Sequence, residues 1–221
     1  MTMRPLAALC LALALALAAP AAAQDQDGPS RPALLAAVGL LQTETVTVTP
    51  EEGPAFTLEL PSSEQVRPVR REMEEAGPDL LAAWDFVTGD DRLVESLIVT
   101  TGTVESAPRE TRLFTMANLL VLRSFPQLAS QYQSARLLAF GPVARDDALD
   151  AVQMIGQFDP EPGRRIVFRH VGLMEAGRED VLIAIVNVNA GVLNVRNDAE
   201  LLDTYASRAL ASLRLLPEQD G

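Results

Sequence analysis

Between Ala135 and Ala190 the chain presents four strand candidates in a row with short separators, and this limits the possible folds more than any other feature. The candidates are Ala135 to Val143, Leu149 to Phe158, Ile166 to Met174 and Val181 to Ala190. Asp146-Asp147, Asp159-Pro160-Glu161-Pro162-Gly163 and Glu175-Ala176-Gly177-Arg178 separate them, and these are turn formers. A parallel crossover needs a dozen or more residues, so neighbouring strands here must pair antiparallel. Val181-Leu182-Ile183-Ala184-Ile185-Val186 is apolar throughout, which predicts a central strand covered on both faces.

The preceding residues supply more sheet and one apolar helix. Thr45-Val46-Thr47-Val48-Thr49 and Phe56-Thr57-Leu58-Glu59-Leu60 alternate with period two around Pro50-Glu51-Glu52-Gly53-Pro54, a hairpin signal. Val46, Val48, Phe56, Leu58 and Leu60 are expected on its inner face. Ser62 to Gly77 is charged and reads as a surface loop or short helix. Leu80 to Val87 and Leu93 to Thr101 form a strand pair about Gly89-Asp90-Asp91, with Leu80, Ala82, Trp84 and Phe86 on one core face. Ser106-Ala107-Pro108 opens a helix with Ser106 as cap. Leu113 to Leu122 is apolar enough to be buried on most sides, and Pro126 is expected to break or kink the helix. Asn197-Asp198-Ala199-Glu200 resembles a capping box. Leu202, Ala206, Ala209, Leu210 and Leu213 then line one helical face, with Glu200, Asp203, Ser207 and Arg208 on the other.

Composition sets the compartment. Met1 to Arg4 is positive, Leu6 to Ala19 is unbroken apolar, and Pro20-Ala21-Ala22-Ala23 supplies small residues before a polar leader. This is the layout of a secretory signal peptide, with cleavage expected after Ala23. The apolar run is short for a membrane span, which needs about 20 residues. A retained anchor is the alternative. Cys10 lies too early in the run for lipidation. The expected organisation is a signal over 1–23, a leader and short helix over 24–42, one domain over 43–216 and a tail over 217–221. Removal of 1–23 leaves 198 residues with 17 Arg, 30 acids, no Cys and no Lys. An exported chain without Cys must rely on a packed core. Arg as the sole basic type, with abundant Ala, points to a bacterial source and so to the periplasm or outside the cell.

Net charge −12 argues against nucleic-acid binding, and one His with one Cys against zinc or poly-His metal sites. Asp25-x-Asp27-Gly28 lacks the later oxygen ligands of a calcium loop. No phosphate loop, dinucleotide loop, nucleophile elbow or zinc helix occurs, so no catalytic residue, cofactor or metal ligand is assigned. One local cluster stands out in this acidic chain: Arg164, Arg165, Arg169 and His170. Period two puts Ile166, Phe168 and His170 on one face and Val167, Arg169 and Val171 on the other. The cluster is either a small patch for an anion or acidic partner, or a core-edge His with solvated or paired Arg.

The element order resembles the PsbP/DcrB-like family. Phe56-Thr57-Leu58-Glu59-Leu60-Pro61, the run from Asp150 through Ala190, and the closing Tyr205-Ala206-Ser207-Arg208-Ala209-Leu210-Ala211-Ser212-Leu213-Arg214 carry the likeness. It covers about residues 43–216 and transfers no catalytic residue. The resemblance implies an α+β fold, an α/β/α sandwich around an antiparallel sheet. Together these features suggest a non-enzymatic exported accessory or binding protein with an envelope or membrane-associated partner. An exported hydrolase with an unrecognised polar site, or a membrane-tethered protein, are the alternatives. Nothing in the sequence indicates a small-molecule ligand.

Overall fold

Short separators do impose antiparallel pairing in the computed structural model, which describes residues 39, 41–72 and 79–217. The expected signal peptide, most of the leader and short helix, and the end of the tail lie outside the described residues. The strands are β1 (Gln42–Val48), β2 (Phe56–Ser62), β3 (Val66–Arg70), β4 (Leu80–Thr88), β5 (Leu93–Thr103), β6 (Arg136–Val143), β7 (Asp150–Glu161), β8 (Arg164–Met174), β9 (Asp180–Asn189) and β10 (Arg214–Leu215). The helices are α1 (Arg109–Leu119), α2 (Phe125–Gln131), α3 (Asp198–Leu202) and α4 (Tyr205–Ser212).

The main sheet has the order β3-β4-β5-β9-β8-β7-β6 and is antiparallel throughout. β9 takes its centre, as its continuous apolar run requires. Leu182, Ala184, Val186 and Val188 face one core, whereas Val181, Ile183 and Ile185 face the other. The first core lies under α3, α4 and a small sheet of order β1-β2-β10. The second lies under α1 and α2. The fold is thus α+β, with helices on both faces of an antiparallel sheet. The β1–β2 hairpin pairs Val48 with Phe56 and Val46 with Leu58, so the inward set falls as the alternation predicts.

Several local expectations give way to tertiary context. The segment read as a loop or short helix contains β3, an edge strand on β4. Val66 is buried, and Pro68 is tolerated at an edge because its missing N–H costs no ladder bond there. A bulge between Leu80 and Ala82 turns Leu80 toward the α1 side, away from Ala82, Trp84 and Phe86. Ser106 does not cap α1; its N–H donates to Glu179 Oε1 at 3.1 Å, and Pro108 holds the cap position without a side-chain bond. Pro126 does not end the helix either. A π-helical turn over Leu120–Ser124 widens the backbone just before it, and Pro126 enters α2 in the first turn.

The closing helix is broken in two. Asn197 Oδ1 accepts from the Glu200 N–H at 3.0 Å, as expected of the cap, but Glu200 Oε2 accepts from Arg196 N at 2.8 Å. The chain then leaves helical geometry at Thr204 and restarts as α4. The break rotates the second half, so Leu202 is exposed and Ser207 buried, the reverse of the single-helix expectation.

Candidate functional site

The four basic candidates do not form one patch. β8 sends Arg164, Ile166, Phe168 and His170 toward the α1 side and Arg165, Arg169 and Val171 toward the other, as strand alternation demands. Arg164 pairs with Glu161 at 3.1 Å and Arg165 with Asp159 at 3.0 Å. His170 is fully buried, with Nδ1 3.1 Å from Ser124 Oγ and its ring against Phe168. Burial pushes its pKa down to about 3, so it is neutral. Ser124 is buried as well, so this Ser–His pair offers no approach to a substrate.

Arg169 is buried on the opposite face and donates from Nε to Gln153 Oε1 at 2.9 Å. Burial, and then the charge of Arg145, lower its pKa to about 10. Arg145 grips Asp147 through a 2.6 Å bond and donates to the Leu213 carbonyl at 2.8 Å, beyond the C-terminal end of α4. Arg145 therefore anchors the helix end, and Asp147 is held below the usual carboxylate range chiefly by that bond.

One buried acid was not singled out by sequence reasoning. Glu95, on β5, is fully buried between core residues and accepts from Tyr205 N at 3.2 Å and Ala206 N at 2.8 Å. Its carboxylate satisfies the first free N–H groups of α4 and so explains where the broken helix restarts. Desolvation outweighs these bonds and raises its pKa to about 7. The signal was available: period two places Glu95 in phase with Leu97 and Val99, the inward side of the strand.

The surface feature with the clearest chemistry lies on the α1 side. Residues 111–145 contain no Asp or Glu, in a chain holding 30 acids. Within that stretch the inward positions Arg112, Met116, Leu120, Ser124 and Leu128 recur every fourth residue. Arg112 anchors the helix by donating to the Glu175 carbonyl at 2.8 Å and to the Arg178 carbonyl. The opposite ridge carries Phe114 and Leu122, 68% and 66% exposed. The expectation of a helix buried on most sides is therefore corrected: one face packs and the other stands in water.

β6 continues this surface at the edge of the sheet. A bulge between Leu137 and Ala139 shifts its register, so that Phe140 opposes Met154 on the α1 side. Leu138 and Phe140 are 58% and 62% exposed. Four large apolar side chains thus stand exposed on one acid-free segment, Phe114, Leu122 and Phe140 on the α1 side and Leu138 at the bulge. Among the described residues only Val69 and Leu202 are otherwise in that class. Arg123 on the helix and Arg136 on β6 are exposed and make no ion pair among the described residues, but Arg136 opposes Gln157 and so lies on the sheet face away from α1. An open depression elsewhere, lined by Leu41, Thr43, Glu59, Pro61, Arg208 and Ser212, holds no buried polar group aimed into it.

No family model and no curated protein matches the chain. Solved structures of similar architecture include cyanobacterial PsbP from Synechocystis, 13% identical, covering 90% of this chain and 100% of that one, TM-score 0.49. The Saccharomyces cerevisiae Ran-binding protein Mog1p is 12% identical over 79% of this chain and 96% of that one, TM-score 0.47. LpqN, involved in cell envelope biogenesis of Mycobacterium tuberculosis, is 13% identical over 86% and 99%, TM-score 0.43. The neighbours have the PsbP/Mog1-like fold, the architecture that the element order of this sequence resembles. At such identities the likeness concerns the fold alone, and no residue role is transferred.

Proposed function

We propose that this chain is an exported, non-enzymatic accessory module of the bacterial envelope that docks through the α1–α2 ridge and β6. The observation that carries the reading is the exposure of Phe114, Leu122 and Phe140 on the α1 side of one carboxylate-free segment. Soluble monomers scatter exposed apolar side chains singly, and a gathered set marks an interaction surface. The layout of residues 1–23 supports export. No helix among the described residues is long and apolar enough to cross a membrane. The hydrolase alternative has no comparable support, because Ser124 and His170 are sealed from solvent.

Cell fractionation tests the proposal. Wild-type chain should sediment with the envelope fraction, and the Phe114→Ser, Leu122→Ser, Phe140→Ser variant should move to the soluble exported fraction with unchanged melting. An unchanged distribution overturns it. Mass spectrometry of the exported form should give Gln24 as the first residue, and Met1 would reject processing.

A further inference from the structure

The α4 side of the main sheet, away from the docking ridge, is only partly roofed. α4 packs chiefly over β2, β5 and β9, and the β7–β6 end of the sheet extends past it. On that end strand alternation gathers Gly141 of β6, Gln153 of β7 and Arg169 of β8. Arg169 opposes Ile155 but donates from Nε to Gln153 Oε1 at 2.9 Å, one inward position further along β7. Its side chain therefore leans across β7 toward β6, where Gly141 opposes Gln153 and has no side chain to stand in the way. A Cβ built on Gly141 would meet nothing within 4 Å, and Ala139 on the same side of β6 is exposed.

Arg169 is 6% exposed and has no counter-charge among the described residues. Each of the six acids from Arg136 to Glu175 forms an ion pair with some other arginine. Asp147 is held by Arg145 at 2.6 Å and Asp159 by Arg165 at 3.0 Å. The charge that Arg169 does feel is a like one, the guanidinium of Arg145. Its Nη1 and Nη2 make no hydrogen bond among the described residues and, unlike His170 Nε2, are not sealed from solvent. A guanidinium buried to this degree calls for an acceptor. Because Gln153 takes Nε, the free edge is the fork of the two Nη groups, a geometry that grips the paired oxygens of a carboxylate or phosphate. Charge separates these two. One guanidinium balances a carboxylate, whereas a phosphate monoester brings about −1.5 to −2 and would leave an excess in a chain already at −12.

We propose that Arg169 and Gln153 bind a carboxylate group on the α4 side of β6 to β8, Arg169 through Nη1 and Nη2 and Gln153 through its Nε2 amide. The site lies on the opposite face of the sheet from the docking ridge and stands independently of it.

NMR titration of the full chain with sodium acetate at constant ionic strength tests this, read at the backbone amides of Gly141, Gln153 and Arg169. Acetate should shift them saturably, and chloride should not. Arg169→Lys and Arg169→Met should each weaken binding about tenfold or more, because neither an ammonium nor a thioether replaces the fork. Gln153→Glu keeps an acceptor for Nε and supplies a carboxylate from the chain itself. It should weaken acetate binding about tenfold or more while raising the melting temperature. Arg165→Gln, on the same face but paired with Asp159, should bind as wild type does. Ala-Ala-Ala with a free C-terminus identifies the source: tighter binding than acetate assigns a polypeptide terminus, and equal or weaker binding a small carboxylate. In both cases the amidated peptide should not bind. Equal shifts with chloride, tighter binding of inorganic phosphate than of acetate, binding of the amidated peptide, or full affinity in Arg169→Met and Gln153→Glu overturns the proposal.

Discussion

Replacing Glu95 by glutamine should expose a pH dependence of stability that the wild-type chain conceals. Burial, against the bonds from Ala206 N, the Thr204 hydroxyl and Tyr205 N, moves Glu95 from its ordinary 4.5 to about 7. The unfolded chain releases this proton near 4.5 and the folded chain holds it to about 7. Stability from this group is therefore complete below 4.5 and is lost as pH rises to 7. At 1.36 kcal/mol per unit the loss is about 3 kcal/mol. His170 has the opposite sign. Burial moves it from 6.5 to about 3, so the unfolded chain takes up a proton below 6.5 that the folded core refuses. Its stability is complete above 6.5 and is lost as pH falls. The two groups lie on opposite faces of the main sheet, Glu95 under α4 and His170 under the π turn, so each can be removed separately. Between pH 4.5 and 6.5 their slopes cancel, and the wild-type chain should be nearly flat in that window. Glu95→Gln should then gain about 3 kcal/mol of stability from pH 4.5 to 6.5, the unmasked His170 slope. His170→Asn, whose carbonyl can replace Nδ1 toward Ser124, should lose about 3 kcal/mol from pH 4.5 to 7. The assay is urea unfolding followed by the fluorescence of Trp84, the single and buried tryptophan, at constant ionic strength. In thermal melts the same change should appear as about 6–12 °C for a domain of this size. Asp90 and Asp147 are held low by hydrogen bonds, first from Thr88 and Arg145 respectively, so their pH dependence falls below the window. Parallel stability curves for wild type and Glu95→Gln would refute the reasoning, because no titrating group would then have been removed.

Two more substitutions probe the packing and the buried cation. Gly156→Ala should cost about 3 kcal/mol by urea midpoint, the upper end for overpacking, because its Cβ would stand 2.3 Å from Phe168 Cζ and 2.5 Å from the Arg136 carbonyl oxygen. Gly172→Ala should cost only about 1 kcal/mol, since the obstructing atom is the Met116 Sδ, which a flexible side chain can withdraw. Arg169→Met should leave stability unchanged or raise it by about 1 kcal/mol, because no carboxylate pairs with this buried guanidinium among the described residues. A loss above about 3 kcal/mol would show instead that the charge is compensated in the folded chain.

The sheet was legible in the sequence because strand alternation and short turns are local properties. β6 to β9, the β1–β2 hairpin and the β4–β5 pair all appear as runs, in phase for the hairpin and for β4 from Ala82 onward, and β9 declares itself central by having no polar face. The misses share one cause. β3, the bulge at Leu80 and the restart at Thr204 each depend on a partner outside the element itself. Glu95 illustrates the point. Nothing near residue 95 reveals that two N–H groups, 110 and 111 residues further on, need an acceptor. The basic cluster on β8 fails in the complementary way. Adjacent in sequence, its members are divided by the sheet, so Arg164 and His170 share one side and Arg165 and Arg169 the other. The docking face was half visible. The absence of acids from 111 to 145 can be read directly, but the exposure of Phe114 and Leu122 depends on which helix face meets the sheet.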